Sequence, residues 1–183
     1  MRDFSIVETA SRAEMKEILF YVLKWFKKKT LGNPFNYNRA FEWLQAEILG
    51  FELEKVGGGS DGKDKDGVTA EFKASAWKGL GAKGQELTNS FTYNGTSRYE
   101  DWNEQEDYCL KKIFRDPFHF WSIINYEEGK FVKTFKVPAE TVCNLLMPKW
   151  TNSWKNPSKK DPRIGGSVST KDLAGENFEI INH

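Results

Sequence analysis

Histidine is nearly missing from this 183-residue chain: His119 lies inside an apolar run and His183 is the last residue. Metal sites built on histidine, and nucleophilic catalysis that needs a histidine base, therefore lack material. Cysteine is as scarce. Cys109 and Cys143 cannot build a disulfide framework or a four-thiolate zinc site, and neither belongs to a C-x-x-C pair. Reduced, buried thiols are expected. No apolar run approaches the ~20 residues of a bilayer span, and the opening MRDFSIVETASRAEMK lacks the apolar stretch of a secretory signal. The expected location is cytoplasmic. A surplus of one charge sign is absent too, since 27 basic and 26 acidic residues leave a net charge of +1. A dedicated nucleic-acid binder usually carries a basic excess, so local distribution has to decide.

What the chain does have is aromatic residues: 7 Trp, 6 Tyr and 14 Phe promise a substantial core. The length suits one domain spanning 1–183. Met15, Ile18, Leu19, Val22, Trp25 and Phe26 recur at helical spacing and predict a helix over 12–29, closed by three lysines. Phe20, Tyr21 and Leu23 extend its apolar surface around most of the circumference, which implies deep burial or a partner subunit; the helix is the expected dimerisation element. A second helix is expected over 38–49, with Phe41, Leu44 and Ile48 inward, Asn36 or Asn38 as cap and Gly50 as stop. A short strand over 51–56, a hairpin turning at Lys65-Asp66-Gly67 and a glycine-punctuated loop over 77–90 follow. Then come a helix within 100–114, a hairpin of 118–126 with 131–137, and a helix from Pro138 to Met147. Beyond it, 148–163 reads as a loop holding Trp150 and Trp154 among Lys149, Lys155, Lys159, Lys160 and Arg163 against the single Asp161. This order predicts an α/β (α+β) fold, a central mixed sheet flanked by helices on both faces.

The chemistry is expected at Glu71-Phe72-Lys73. On a strand this tripeptide puts an acid and a base on one face, roughly 7 Å apart. A three-residue turn with glycine last fixes the hairpin register. Asp64 then pairs with Val68, Lys63 with Thr69, Gly62 with Ala70 and Asp61 with Glu71, which brings the two carboxylates across the strands with Cβ atoms about 5 Å apart. Two carboxylates so close repel unless a cation lies between them, and Mg²⁺ is the natural occupant. Asp61 and Glu71 are thus the candidate metal ligands, and Asp61, Glu71 and Lys73 the candidate catalytic group, suited to phosphodiester hydrolysis. The plain alternative is an exposed hairpin with a salt bridge.

The stretch LGFELEKVGGGSDGKDKDGVTAEFK, residues 49–73, resembles the catalytic hairpin of the PD-(D/E)XK nuclease superfamily, and within it of type II restriction endonucleases. Weaker similarity extends through LTNSFT, the hairpin FHFWSIINYEEGKFVKTF and the segment from Lys149-Trp150 to Ile164, covering roughly residues 40–170. The resemblance implies a restriction-endonuclease-like three-layer fold and a homodimer that grips double-stranded DNA, reads a short palindrome and cuts both strands with Mg²⁺ to leave 5′-phosphates. A structure- or methylation-dependent nuclease of the same superfamily, or a non-enzymatic dimeric DNA-binding protein, are the alternatives.

Where the similar enzymes carry a histidine run, this chain has Tyr93-Asn94-Gly95-Thr96-Ser97-Arg98, so the recognised sequence is expected to differ. Tyr93, Asn94, Ser97 and Arg98 are candidates for contact with DNA there, and an ion pair of Arg98 with Glu100 or Asp101 is the plain alternative. Lys159 and Lys160 are expected on phosphates, Lys78 and Lys83 on backbone or minor groove, and Asp161 to Arg163 near the major groove. For Glu42 a solvated helix face is the favoured reading.

Overall fold

The computed structural model describes residues 9–36, 38–55, 59–157 and 162–183, with 94–96 as backbone only. Helix α1, Arg12–Lys28, starts on a capping box in which Ser11 Oγ accepts the Glu14 N–H while the Glu14 carboxylate accepts the Ser11 N–H at 2.7 Å. Of its many apolar side chains only Phe26 is buried; Leu19, Phe20 and Tyr21 are 47, 53 and 70 % exposed. The helix is tied to the rest by edge-on contacts of Trp25 and Phe26 with Trp43. Deep burial within the chain is therefore excluded for this element.

Helix α2, Arg39–Leu49, ends at Gly50, whose φ of 76° suits a residue without a Cβ. Asn38 stands at its N-cap but gives no side-chain cap bond. The expected inward face is corrected: Ile48 is exposed, and Arg39, Gln45 and Ala46 are buried instead. The cause is a set of backbone acceptors beneath the helix that an apolar side chain could not satisfy. Gln45 Nε2 donates towards Lys73 O at 3.1 Å, Phe120 O at 3.3 Å and Ser122 Oγ at 2.8 Å. Arg39 donates to Leu31 O at 2.7 Å and to Glu54 O.

Six strands form the main sheet: β1 (Glu52–Leu53), β2 (Gly62–Lys63), β3 (Thr69–Ala76), β5 (Phe118–Asn125), β6 (Lys130–Pro138) and β8 (Glu179–Asn182), hydrogen-bonded in the order β1-β2-β3-β5-β6-β8. Only β3 and β5 run parallel, so the sheet is mixed as expected. A second, two-stranded sheet pairs β4 (Ser90–Thr96) with β7 (Ile164–Ser169). Asn89 joins the two sheets: its amide donates to Ser75 Oγ at 2.9 Å and its carbonyl accepts the Thr170 N–H at 2.9 Å.

Alternation along β5 divides the core. Phe120 joins Ala46, Ala70 and Phe72 beneath α2. Trp121 and Ile123 point the other way, into a larger core with Phe91 and Tyr93 of β4, Cys109 and Ile113 of α3 (Trp102–Phe114), and Val142, Leu146 and Trp150 of α4 (Ala139–Lys155). Helices thus cover both faces of the sheet. The free thiol of Cys109 is buried in this core as expected, whereas Cys143 is only half-buried at its margin, which corrects the expectation for that residue.

The expected end of α4 at Met147 is corrected, because the helix continues through Pro148 to Lys155. Proline removes one backbone donor, but Leu146 before it and Trp150 after it are both fully buried. That packing holds the two halves in line. Gly166 of β7 makes room for the indole, since a Cβ there would stand 3.2 Å from Trp150 Cδ1. Lys149, Trp150, Trp154 and Lys155 accordingly belong to a helix rather than to a basic loop. No helix among the described residues is long and apolar enough to cross a membrane.

The Gln45 contacts yield a stability test. Gln45→Leu keeps the volume but strands buried acceptors on β3 and β5, so chemical denaturation should show a loss of roughly 1–3 kcal/mol.

Candidate active site

The β2–β3 hairpin turns through Lys65, Asp66 and Gly67, whose φ of 87° needs glycine. Gly67 N–H donates to Asp64 O at 3.1 Å, and Asp64 Oδ1 accepts the N–H groups of Asp66 and Val68 at 2.9 and 2.8 Å. Asp64 is thus consumed by the turn. The register runs Lys63 to Thr69 and Gly62 to Ala70, as the turn arithmetic requires. Gly62 is compulsory for a steric reason: a Cβ there would lie 2.6 Å from the Phe72 ring.

One residue beyond the last ladder pair, Asp61 donates its N–H to Ala70 O at 3.0 Å, and its carboxylate accepts the Phe72 N–H at 2.8 Å. Lys73 Nζ contacts Glu71 Oε1, lies 3.9 Å from Asp61 Oδ2 and donates to Phe72 O at 3.0 Å. The three residues expected to act together are therefore one cluster. Beside them opens a cleft of about 530 Å³ lined by Glu42 and Gln45 of α2, Glu71 and Lys73 of β3, and Ser90 and Thr92 of β4.

Burial and the neighbouring Glu71 charge push Asp61 up to about 7 from 3.8. Burial pushes Glu71 upward too, but Lys73 and other nearby cationic groups outweigh it and hold this acid below its ordinary value. For Lys73 the burial cost is outweighed by the charges of Glu71 and Asp61, which keep it protonated. The site is a pair of repelling acids sharing one lysine.

Three further residues complete it. Arg115, directly after α3, donates to Glu71 Oε2 at 2.8 Å and through Nε to Asp116 Oδ2 at 3.0 Å. No spacing in the sequence points to it, because the parallel pairing of β3 with β5 brings it across 44 residues. Glu42 is the second. Its side chain is 17 % exposed and paired with Arg39 at 3.0 Å, so the solvated-face reading is corrected; burial raises its pKa, with Arg39 opposing.

Tyr93 is the third, and its expected contact with DNA is corrected. Its ring lies 5.1 Å from Lys73 Nζ and is buried. Trp121 Nε1–H donates to its hydroxyl at 2.6 Å, and the hydroxyl meets His119 Nδ1 at 3.0 Å. His119 Nε2 faces Ile113 O at 3.1 Å, so Nε2 carries the hydrogen. Burial lowers the His119 pKa, leaving Nδ1 free to accept from Tyr93. Every polar hydrogen in this chain has a fixed direction.

The other candidate DNA contacts lie outside the cluster. Ser97, Arg98, Lys78, Lys83 and Arg163 are exposed. Arg98 donates to Trp154 O at 2.6 Å with its guanidinium 5.6 Å from that ring, in place of the acidic partners of the plain alternative. The side chain of Asn94, and Lys159, Lys160 and Asp161 altogether, lie outside the described residues.

Among the described residues no three His, Cys, Asp or Glu side chains form a metal cage. Asp61 and Glu71 still fit Mg²⁺, which binds through one or two carboxylates and keeps several waters. Their mutual repulsion is what a divalent cation would relieve. Compared by sequence, the chain matches no protein-family model and no curated protein.

The Asp61 shift carries a signed prediction. A folded value of about 7 above an ordinary 3.8 means that folding favours the protonated acid, so its charge is free of cost below about pH 4 and fully costly above pH 7. Without divalent cations, Asp61→Asn should leave stability unchanged near pH 4 and raise it by roughly 1–4 kcal/mol at pH 8 in denaturant titrations.

Proposed function

We propose that this protein is a Mg²⁺-dependent endonuclease that hydrolyses phosphodiester bonds of double-stranded DNA and leaves 5′-phosphates. A type II restriction enzyme with a restriction-endonuclease-like fold is the form this reading takes. The observation that carries it is the meeting of Asp61, Glu71 and Lys73 beside an open cleft, with Lys73 Nζ 3.9 Å from Asp61 and in contact with Glu71. A salt bridge serving stability alone would gain nothing from a second, repelling carboxylate.

Asp61 and Glu71 would hold the cation. Bound Mg²⁺ supplies charge neutralisation at the phosphoryl oxygens and a water acidified towards neutrality. Lys73 cannot wander, because Glu71, Phe72 O and the Tyr93 ring fix its ammonium. From there it orients the attacking water and offsets negative charge that grows on the phosphate in the transition state. Tyr93 keeps solvent away from the buried side of that ammonium.

Cutting both strands suits a homodimer. The exposed Leu19, Phe20 and Tyr21 of α1 support this, as does the attachment of that helix through Trp25 and Phe26 alone among its rings. Sequence reading is assigned to Asn94, Ser97 and Arg98, and phosphate contact to Lys159 and Lys160, with Lys78 and Lys83 on the backbone or minor groove, and Arg163 reading a base or clamping a phosphate beside Asp161 near the major groove.

Two measurements check the reading. Glu71→Ala and Lys73→Ala should each slow cleavage of plasmid or phage DNA by roughly 10²-fold or more while duplex binding persists; wild-type rates in either variant would refute the assignment. Sedimentation should give about twice 21.1 kDa, falling to a single chain in Phe20→Glu.

A further inference from the structure

Each oxygen of Glu71 already faces a cation in this structure. Lys73 contacts Oε1, and Arg115 Nη2 takes Oε2 at 2.8 Å. Each oxygen keeps a second lone pair, but a divalent cation taking this carboxylate stands against two positive charges already fixed there, so its binding is favoured when one of them withdraws. Lys73 is the more firmly held, by Glu71, by Phe72 O at 3.0 Å and by the Tyr93 ring, and its side chain is 21 % exposed. Arg115 is 32 % exposed. Its side chain lies along Gly59, where a Cβ would approach its Cδ to 3.3 Å.

Arg115 has somewhere to go. Its Nε already donates to Asp116 Oδ2 at 3.0 Å. The other oxygen, Asp116 Oδ1, belongs to a fully buried residue and has no hydrogen-bond partner among the described residues. A buried carboxylate oxygen left bare is costly and marks an arrangement that a second donor would complete. Nε and Nη2 lie on one edge of a guanidinium, the edge that grips a carboxylate through two parallel bonds. A turn of the guanidinium that brought Nη2 from Glu71 to Asp116 Oδ1 would complete that pair. The remaining Nη1 edge keeps its donors for another ligand.

We propose that Arg115 is the displaceable cation of this site: it neutralises Glu71 until a divalent cation takes that carboxylate, then closes its fork on Asp116 and offers its free edge to a phosphate of the bound DNA. The inference rests on the metal-dependent reading of the site. It assigns one arginine two successive anions, a side chain before metal loading and nucleic-acid backbone after it.

The test is made on the full chain with Mn²⁺ as probe, by calorimetric titration without DNA. Arg115→Met removes the competitor and should bind Mn²⁺ roughly 5-fold tighter or better than wild type. Because that change leaves Asp116 buried without its cation, the double variant Arg115→Met/Asp116→Asn is run beside it with the same expectation. Glu71→Gln should lose this Mn²⁺ site. On a short duplex with Ca²⁺ in place of Mg²⁺, Arg115→Met should flatten the salt dependence of binding by about one unit of slope, and without divalent cations by none. Unchanged or weaker Mn²⁺ binding in both variants overturns the proposal, as does a slope change that ignores Ca²⁺. If Mn²⁺ binding follows the expected pattern but no duplex is ever cut, the competition for Glu71 stands and the nuclease reading falls. If wild type cuts DNA while Arg115→Met binds Mn²⁺ as wild type does, the nuclease reading stands and the role of Arg115 falls.

Discussion

Two carboxylates confined beside one ammonium, largely out of water, set the conditions for the residues around them. Asp61 and Glu71 repel, and removal from solvent sharpens that repulsion because little water remains to screen it. Lys73 alone cannot neutralise two acids. Glu71 therefore recruits Arg115 as well, and Asp61 is left with an elevated affinity for a proton. A site that holds one acid near pH 7 between charged and neutral forms is one that a divalent cation would complete, with release of any bound proton.

Keeping such a cluster in place takes a frame that does not relax. The frame has a floor and a wall. Below Lys73, Trp121, Tyr93, His119 and Ile113 O are linked by hydrogen bonds whose polarity is set at every step, with the imidazole neutral rather than a competing cation. Beside it, Gln45 fastens α2 to the carbonyl of Lys73 itself, and the same helix turn brings Glu42 to the cleft. Because β5 supplies both His119 and Trp121 while pairing in parallel with β3, one strand-to-strand contact aligns Glu71 with His119 and Lys73 with Trp121. The core and the site are held by the same register.

How much of this could be read from the chain depended on distance along it. The hairpin was legible because its determinants are local: Gly67 fixes the turn, the turn fixes the pairing, and period two assigns the faces. The three catalytic candidates followed from that arithmetic together with the Glu-x-Lys spacing on the strand. Arg115 did not, since its partner is 44 residues away and the pairing that unites them is long-range. The buried face of α2 was misread for a related reason. Gln45 and Arg39 face inward to serve carbonyls of other strands, and an apolar pattern cannot record that demand. At Pro148 a sound local rule yielded to the burial of Leu146 and Trp150. The β4–β7 sheet is not legible in the sequence because its second strand, Ile-Gly-Gly-Ser-Val-Ser, carries two glycines, one of which, Gly166, makes room for Trp150. Tyr93 stands in a segment that reads as a contact with DNA, and only the fold shows its ring buried in the core beneath Lys73.

Crystals of the full chain grown with a short DNA duplex and Mn²⁺ would test the central claim directly, by anomalous difference scattering at the manganese edge. The expected result is a peak within ligand distance of both the Asp61 and Glu71 carboxylates. A map in which manganese is found only elsewhere, with Asp61 and Glu71 still turned to Lys73 and Arg115, would contradict the reading of this cluster as a metal-dependent hydrolytic centre.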